Sequence, residues 1–112
     1  MSRRTRGLPY RGEVWWWEPE QDKPRPVVIL SPYKVTEARC RAIVAPCTTK
    51  VRGLPIEVLL EPGEDPVAEI SAVNLHSIRS VRVSLLVQHM GRISKERMHQ
   101  VCTALKAAVA CG

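Results

Sequence analysis

The pattern of apolar and polar residues predicts a mainly β domain that ends in one helix. Glu13–Trp17 is rich in aromatic and β-branched residues, which favours a half-buried strand. Residues 25–31 and 41–46 are apolar on both alternation phases, so we expect two strands that are buried on both faces. Pro26 must lie at the beginning of the first of these strands, because proline cannot donate a hydrogen bond to a sheet. Further strand-like segments are predicted at residues 56–60, 67–73 and 85–93.

Turn-forming residues separate these segments, and the apolar period changes near the C-terminus. Loops are predicted at residues 18–24 and 53–55, and the acidic, proline-containing segment 61–66 is expected to be an exposed loop. Ser94 is a suitable N-cap for a final helix with one apolar stripe, formed by Met98, Val101, Cys102, Leu105, Ala108 and Val109. Short strands closed by one helix predict a small, strongly bent antiparallel sheet or a partly open barrel.

Composition and charge are those of one small folded domain with a basic N-terminus. The chain has 112 residues, of which 45% are apolar and 25% are charged, a composition that supports a buried core but leaves no room for a second module. The formal net charge is +6, and several arginines precede the first acidic residue, namely Arg3, Arg4, Arg6 and Arg11. We therefore expect a flexible basic arm over residues 1–11 and a folded domain over residues 12–112.

No sequence pattern indicates a membrane segment, a disulfide framework or a metal site. The chain has no apolar stretch long enough to span a bilayer and no secretory signal near its start, so we expect a cytoplasmic protein without a membrane partner. The cysteines form no C-x-x-C motif and are interpreted as buried or idle thiols: Cys40, Cys47, Cys102 and Cys111. The histidines His76, His89 and His99 lack metal-ligand spacing, and we expect neither a metal nor a cofactor.

One candidate site follows from pairing the two fully buried strands. If residues 25–31 and 41–46 pair antiparallel across the connection 32–40, Arg25 lies opposite Thr48, with Cβ atoms about 5 Å apart. A guanidinium beside a hydroxyl group suits a phosphate or a phosphorane-like transition state, because it offers charge and an orienting donor. Arginine and threonine are also common at strand ends for structural reasons, so spacing alone leaves both interpretations open.

Several short sequence blocks follow one another between Gly12 and the final helix. They are Gly12-Glu13-Val14-Trp15, the R-P-V-V-I-L-S block from Arg25, the P-C-T-T block from Pro46, the G-L-P-I-E-V block from Gly53 and Gly91-Arg92-Ile93-Ser94. Taken together, and in their order and spacing, these blocks resemble those of the MazF/PemK family of toxin endoribonucleases from type II toxin–antitoxin systems. The resemblance covers the chain except for its basic arm.

The resemblance implies a fold, a reaction and partners. The implied fold is a homodimeric, small SH3-like β-barrel with a C-terminal helix, as in plasmid maintenance toxins of the CcdB/PemK type. The implied reaction is sequence-specific, metal-independent cleavage of single-stranded RNA by the ribose 2′-hydroxyl, which leaves 2′,3′-cyclic phosphate and 5′-hydroxyl ends. Arg25 is then the catalytic cation and Thr48 holds a phosphoryl oxygen. The implied partners are a cognate MazE-like antitoxin and RNA, with mRNA, tRNA and rRNA as candidate targets.

Further RNA contacts are expected around this pair. Trp17, which is the tryptophan nearest to the loop at 18–24, is predicted to stack on an unpaired base, and Thr49, Asn74 and His76 are polar candidates. A core tryptophan and a surface histidine are the structural alternatives. The alternative functions are a DNA gyrase poison of the same fold and a non-catalytic RNA-binding barrel. The absence of a tryptophan near the C-terminus disfavours the first, and the presence of both Arg25 and Thr48 disfavours the second.

Overall fold

The computed structural model describes residues 7–110 and confirms a mainly β domain with a C-terminal helix. The strands of the sheet are β1 (Glu13–Trp17), β2 (Arg25–Ile29), β3 (Arg41–Thr48), β4 (Glu57–Leu60), β5 (Ser71–Asn74), β6 (Arg79–Arg82) and β7 (Leu86–Arg92). The α-helices are α1 (Tyr33–Arg39) and α2 (Lys95–Ala108), and short 3₁₀ helices span Leu75–Ser77 and Val83–Leu85. None of the described helices is long and apolar enough to cross a membrane.

Strand β3 is the centre of the sheet. The strand order is β4-β5-β3-β2-β1-β7, and β6 is an additional partner of β3. One edge of β3 pairs with β2, whereas the other edge is shared, with Arg41–Val44 paired to β6 and Cys47–Thr48 paired to β5. Because two strands pair with successive parts of one edge, the sheet divides at β3.

Hydrophobic cores lie on both faces of the central strands. On one face, Val14, Val28 and Ala45 pack in a cluster that includes Val101 and Ala104 of α2. The other face packs a second cluster, which contains Trp15, Trp17, Val27, Ile29, Ala42, Val44, Val81 and Leu86. These clusters confirm that β2 is buried on both faces, as is β3 from Val44 to Cys47. The prediction is wrong for the start of β3, where Arg41 and Ile43 are exposed and only the opposite face is buried.

Helix α2 begins where its sequence signals indicated. The Ser94 side chain accepts a hydrogen bond from the backbone N–H of Arg97 at 3.0 Å, which confirms Ser94 as the N-cap. Val101 is fully buried, and Met98, Leu105 and Ala108 pack partly buried against the core. Val109, the last residue of the predicted stripe, is instead the exposed C-cap.

Helix α1 and strand β6 were not predicted from the sequence, and strand β5 is shorter than predicted. Helix α1 lies in the segment that was predicted only as a connection, and it buries only Thr36, so it has no apolar stripe. Strand β6 was missed for the same reason, because Val81 is its one buried residue. The strand predicted at 67–73 begins only at Ser71.

The described part of the N-terminal segment packs against the domain, and the described cysteines are free thiols, as expected. Met1–Arg6, which carry most of the predicted basic arm, lie outside the described residues, as does Cys111. Within the described part, Pro9 is buried and the Tyr10 ring stacks on Tyr33 at 4.4 Å, so packing begins before residue 12. Cys47 is buried and Cys102 is half-buried, whereas Cys40 is exposed at the end of α1.

The loop between β4 and β5 carries a buried ion pair. We expected residues 61–66 to be exposed, and this is wrong for Asp65, whose side chain is only 1% exposed. The Asp65 carboxylate accepts hydrogen bonds from the Arg97 guanidinium at 2.9 and 3.2 Å, and from the backbone N–H of Glu61 at 2.8 Å. The hydrogen bond to Asp65 raises the pKa of Arg97 above its ordinary value. This pair fastens the loop to α2.

Gly91 allows the same loop to approach β7 closely. Its φ angle is 147°, and a Cβ atom at this position would lie 2.6 Å from the Cβ of Pro66. Only glycine avoids that overlap without displacing the loop, and only glycine adopts such a φ angle freely. The loop is therefore held between β7 and α2.

Asp65→Asn tests the contribution of the buried ion pair, because it removes the charge and keeps the size of the side chain. We expect the free energy of unfolding to fall by about 3 kcal/mol, since Arg97 would keep a poorly compensated charge. Urea unfolding followed by circular dichroism measures the change. The control is Glu64→Gln, which removes an exposed carboxylate 3.3 Å from the same guanidinium and is expected to cost less than about 1 kcal/mol. Equal losses in both variants would contradict the role of burial.

Candidate active site

An open pocket of about 510 Å³ lies where β2 begins and β3 ends. The residues around it that carry charge, hydroxyl groups or an aromatic ring include Trp16, Arg25, Thr48, Thr49, Lys50 and Glu69. This volume is within the range of pockets that hold small ligands. The structure therefore brings together the two residues predicted from strand pairing, and it adds residues that the sequence analysis did not select.

The register between β2 and β3 brings Arg25 and Thr48 to the same pocket. Val27, Val28 and Ile29 pair with Pro46, Ala45 and Val44, as the predicted antiparallel pairing requires. Continuing this register past Pro26 leads to Arg25 and Thr48. The ladder itself does not continue so far, because Pro26 has no N–H to donate. The two side chains consequently lie at an open end of the sheet.

Arg25 is oriented from one side only. Its Nε donates to the carbonyl of Lys23 at 3.1 Å, and its Nη2 donates to the Asp22 carboxylate at 2.8 Å. A guanidinium carries five N–H donors, so these bonds leave donors for a ligand. The Arg25 side chain is 30% exposed and Asp22 is 42% exposed, which makes this a solvent-accessible ion pair.

Thr48 and Thr49 supply hydroxyl groups to the pocket. The Thr48 hydroxyl oxygen accepts a hydrogen bond from the backbone N–H of Lys50 at 3.1 Å. That bond uses an acceptor lone pair and leaves the hydroxyl hydrogen able to donate. Thr49 is exposed at the same pocket, although strand alternation alone pointed it away from Thr48. The chain leaves the sheet after Thr48, so alternation does not apply to Thr49.

The tryptophan at this pocket is Trp16 and not Trp17. Trp17 is 4% exposed in the second core cluster, where the guanidinium of Arg79 lies 5.3 Å from its ring centre. A ring so enclosed has no free face for an RNA base, and the stacking predicted for Trp17 does not fit this position. Trp16 is half-buried, and its Nε1 donates to the Glu18 carboxylate at 3.2 Å.

Asn74 and His76 do not line the pocket of Arg25 and Thr48. Asn74 caps the 3₁₀ helix that begins at Leu75: its Oδ1 accepts from the backbone N–H of His76 at 2.9 Å, and its Nδ2 donates to Ser77 at 3.1 Å. His76 is exposed outside the pocket. The structure thus gives Asn74 a local structural contact and does not bring either residue to Arg25 and Thr48.

The pocket is positively charged and has one unusual thiol in its wall. Lys23 and Lys50 add to the charge of Arg25, and Glu69 is the carboxylate among the described lining residues. Burial raises the pKa of the Cys47 thiol to about 12, so it stays protonated at physiological pH. Lys23 and Glu69 belong to segments predicted as loop and strand, and no sequence pattern placed them beside Thr48.

Within residues 7–110, no group of three or more His, Cys, Asp or Glu side chains is arranged to hold a metal ion.

Comparisons with known proteins agree with this architecture. The family model described as PemK-like, MazF-like toxin of type II toxin–antitoxin system matches residues 10–109. A Mycobacterium tuberculosis protein named probable endoribonuclease MazF5 is 54% identical over 104 residues, which are 93% of this chain and 95% of the relative. An endoribonuclease in complex with its cognate antitoxin, from a mycobacterial species, has a TM-score of 0.82 at 24% identity over 93% of this chain and 97% of that chain. The M. tuberculosis toxin MazF-mt6 has a TM-score of 0.80 at 26% identity, and the match covers 89% of this chain and 98% of that chain.

These matches confirm the resemblance drawn from the sequence blocks and the fold class that it implied. The R-P-V-V-I-L-S block forms β2 and the residue pair after it, and the P-C-T-T block ends β3, so two of the blocks build the pocket. The family match covers nearly the whole described chain. The chain therefore belongs to the PemK-like, MazF-like toxin family of type II toxin–antitoxin systems, a family of endoribonucleases.

Proposed function

We propose that this endoribonuclease toxin cleaves single-stranded RNA at specific sequences, without a metal ion, and leaves 2′,3′-cyclic phosphate and 5′-hydroxyl ends. The observation that carries the proposal is that Arg25 and Thr48 line one open, positively charged pocket. The family resemblance assigns the scissile phosphate to the same two residues. Strand pairing and family resemblance are separate arguments, and both lead to this pair.

The reaction that we propose needs little from the protein. The 2′-hydroxyl oxygen of the substrate attacks the adjacent phosphorus, the bond to the 5′-oxygen breaks, and the proton lost from the 2′-oxygen is balanced by one gained at the 5′-oxygen. Arg25 stabilises the negative charge that develops on the phosphoryl oxygens. Thr48 donates its hydroxyl hydrogen to one of those oxygens and fixes the phosphate. Because the nucleophile belongs to the substrate, positioning and charge are the main contributions of the protein.

The other pocket residues suit the parts of RNA next to the scissile phosphate. Lys23 and Lys50 offer positive charge for neighbouring phosphates, and the Thr49 hydroxyl offers a further donor. Trp16 takes the stacking role that the sequence analysis gave to Trp17, since its ring forms part of the pocket wall. Stacking requires an unpaired base, which favours single-stranded RNA over a duplex. Asn74 and His76 lie outside the pocket and are proposed to contact RNA only beyond the catalytic pair.

We further propose that the active form is a cytoplasmic homodimer that is neutralised by a MazE-like antitoxin. A homodimer would present two copies of the Arg25 and Thr48 pair along a single RNA path. The formal net charge of +6 favours both RNA and an acidic antitoxin segment, which would compete for the same surface. Cellular RNA, with mRNA as the first candidate and tRNA or rRNA as others, is the target in that compartment.

Arg25→Ala tests the catalytic cation. We expect cleavage of a mixed-sequence RNA to slow by about 10²- to 10³-fold, because one oriented donor of the transition state is lost. The control is Arg39→Ala, which removes the same charge from the exposed last turn of α1 and is expected to cleave as the parent does. Thermal unfolding by circular dichroism checks that both variants fold. Cleavage by Arg25→Ala within about threefold of the parent would refute the assigned role.

Replacing one ribose tests the source of the nucleophile. A 2′-deoxyribose on the 5′ side of the cut should abolish cleavage at that bond and leave binding almost unchanged, since the phosphates and bases remain. The control oligonucleotide carries the deoxyribose one nucleotide farther away and should be cut normally. Cleavage is followed by gel electrophoresis after treatment of the protein with EDTA. Cutting at the substituted position, or loss of all activity on chelation, would exclude the proposed chemistry.

The oligomeric state is tested by light scattering at tens of micromolar protein. We expect the mass of two chains, because the family resemblance implies a dimer with a shared RNA path. The measurement is repeated at high salt, which screens interactions between charges. A dimer held by charge dissociates under this condition, whereas a dimer held by apolar surface persists. A mass of one chain under both conditions would remove the dimer from the proposal.

A further inference from the structure

Glu69 is an unusual residue to find in a pocket for RNA. It is exposed, and it lines the pocket together with the positively charged side chains of Lys23, Arg25 and Lys50. Among residues 7–110, no hydrogen bond or ion pair engages its carboxylate. Its backbone is fixed, because its carbonyl oxygen accepts a hydrogen bond from the Ser71 hydroxyl at 2.8 Å. The carboxylate is therefore held near the pocket and remains available to a ligand.

A carboxylate beside the scissile phosphate weakens RNA binding unless it contacts a hydrogen-bond donor. Two negative groups in one pocket repel each other, and a carboxylate can only accept hydrogen bonds. RNA carries its N–H donors on the edges of its bases, and the proteins that read single strands do so at these edges. The ribose 2′-hydroxyl is a further hydrogen-bond donor of RNA, so Glu69 is suited to a base edge or to a ribose hydroxyl group and unsuited to a phosphate.

The wall formed by Trp16, Pro26 and Met90 provides a surface for the same base. Trp16 and Pro26 are cross-strand partners of β1 and β2, and the hydrogen bond from the Trp16 Nε1 to Glu18 fixes the indole ring. A base that stacks on this wall keeps its polar edge free, and stacking by itself does not discriminate among bases. Discrimination must then come from the polar groups of the pocket. Among the described residues that line it, Glu69 is the carboxylate, and a carboxylate distinguishes bases by the N–H donors that they present.

The structure assigns Glu69 as the specificity-determining residue that reads a guanine next to the scissile phosphate, an inference that rests on the proposed ribonuclease function. The Watson–Crick edge of guanine presents two adjacent donors, N1–H and N2–H, which match the two oxygens of a carboxylate. Adenine and cytosine present one amino donor beside a ring acceptor, and uracil presents one N–H between two carbonyl groups. Those acceptors face the carboxylate unfavourably, so guanine is the base that a carboxylate selects.

Sequencing the ends released from a randomised single-stranded RNA pool tests this assignment. We expect the parent protein to require guanine at one fixed position beside the cut. Glu69→Gln should reduce the preference for guanine over other bases at that position by about 10- to 100-fold, the discrimination typical of one bidentate contact. The matched control is Glu37→Gln, which removes the same charge from the exposed face of α1 and should keep the parent preference.

An inosine substrate makes the test independent of overall activity. Inosine keeps N1–H and lacks the amino group of guanine, so the parent should cleave the inosine substrate more slowly than the guanine substrate. For Glu69→Gln, the difference between these two cleavage rates should be much smaller. A parent preference without a fixed guanine, or a Glu69→Gln variant with the parent preference, would overturn the assignment. A uniform rise in cleavage at all sequences would also overturn it, because Glu69 would then only repel phosphate. If the parent cleaves no RNA, the proposed function itself fails.

Discussion

The antiparallel pairing of β2 with β3 is the constraint on which the remaining structure depends. These strands have apolar residues on both faces, so the alternation of the sequence cannot by itself fix their register, as it does in a half-exposed sheet. Other contacts must fix it. Pro26 ends the ladder at the pocket, and at the opposite end the backbone N–H of Leu30 donates to the carbonyl of Ile43 at 2.8 Å. A shift by one residue would separate Arg25 from Thr48 and would exchange the two cores.

Helix α1 helps to hold that register, although it contributes little to the core. The backbone N–H of Ile43 donates to the Ser31 hydroxyl at 3.1 Å, and Ser31 shares a buried hydrogen bond of 2.8 Å with Thr36 of α1. Both hydroxyl groups are nearly inaccessible to solvent, and a buried hydroxyl without a partner is costly. The two side chains therefore satisfy each other only when α1 packs against the end of β2. A short helix with one buried residue thus helps to fix one end of the strand pairing that brings Arg25 and Thr48 to the same pocket.

The parts of the structure that sequence patterns predicted are those with many buried apolar residues. The two central strands, their register and helix α2 with its Ser94 cap are of this kind, and Arg25 and Thr48 follow from the register. Helix α1 and strand β6 each bury one side chain, which is too few to produce a period. The burial of Asp65 depends on Arg97, which lies far away in sequence, so a local pattern of acids and prolines indicated an exposed loop instead.

The pocket was predicted less completely because its walls come from segments without a period. In β1 every position from Val14 to Trp17 is apolar, and sequence alone does not show which tryptophan faces a core. The structure decides by packing: Trp15 and Trp17 share the second core cluster, which leaves Trp16 for the opposite face. Lys23 and Glu69 reach the pocket from loops that are far apart in sequence and become neighbours only in the folded chain. Pocket residues fixed by strand pairing can thus be predicted from sequence, whereas the pocket residues that come from loops cannot.

The contact between Asp22 and Arg25 reconciles an ordered arginine with an accessible one. An ion pair in which both side chains are substantially exposed contributes at most about 1 kcal/mol. This free energy is enough to orient a guanidinium that would otherwise sample many rotamers. It is too small for Asp22 to compete strongly with a phosphate, which offers several charged oxygens. The second contact of Arg25, to the carbonyl of Lys23, does not depend on charge and keeps the side chain aligned. In the proposed reaction, Arg25 can therefore exchange its carboxylate partner for the scissile phosphate while its backbone contact persists, and the loop before β2 prepares the catalytic cation without occupying the pocket.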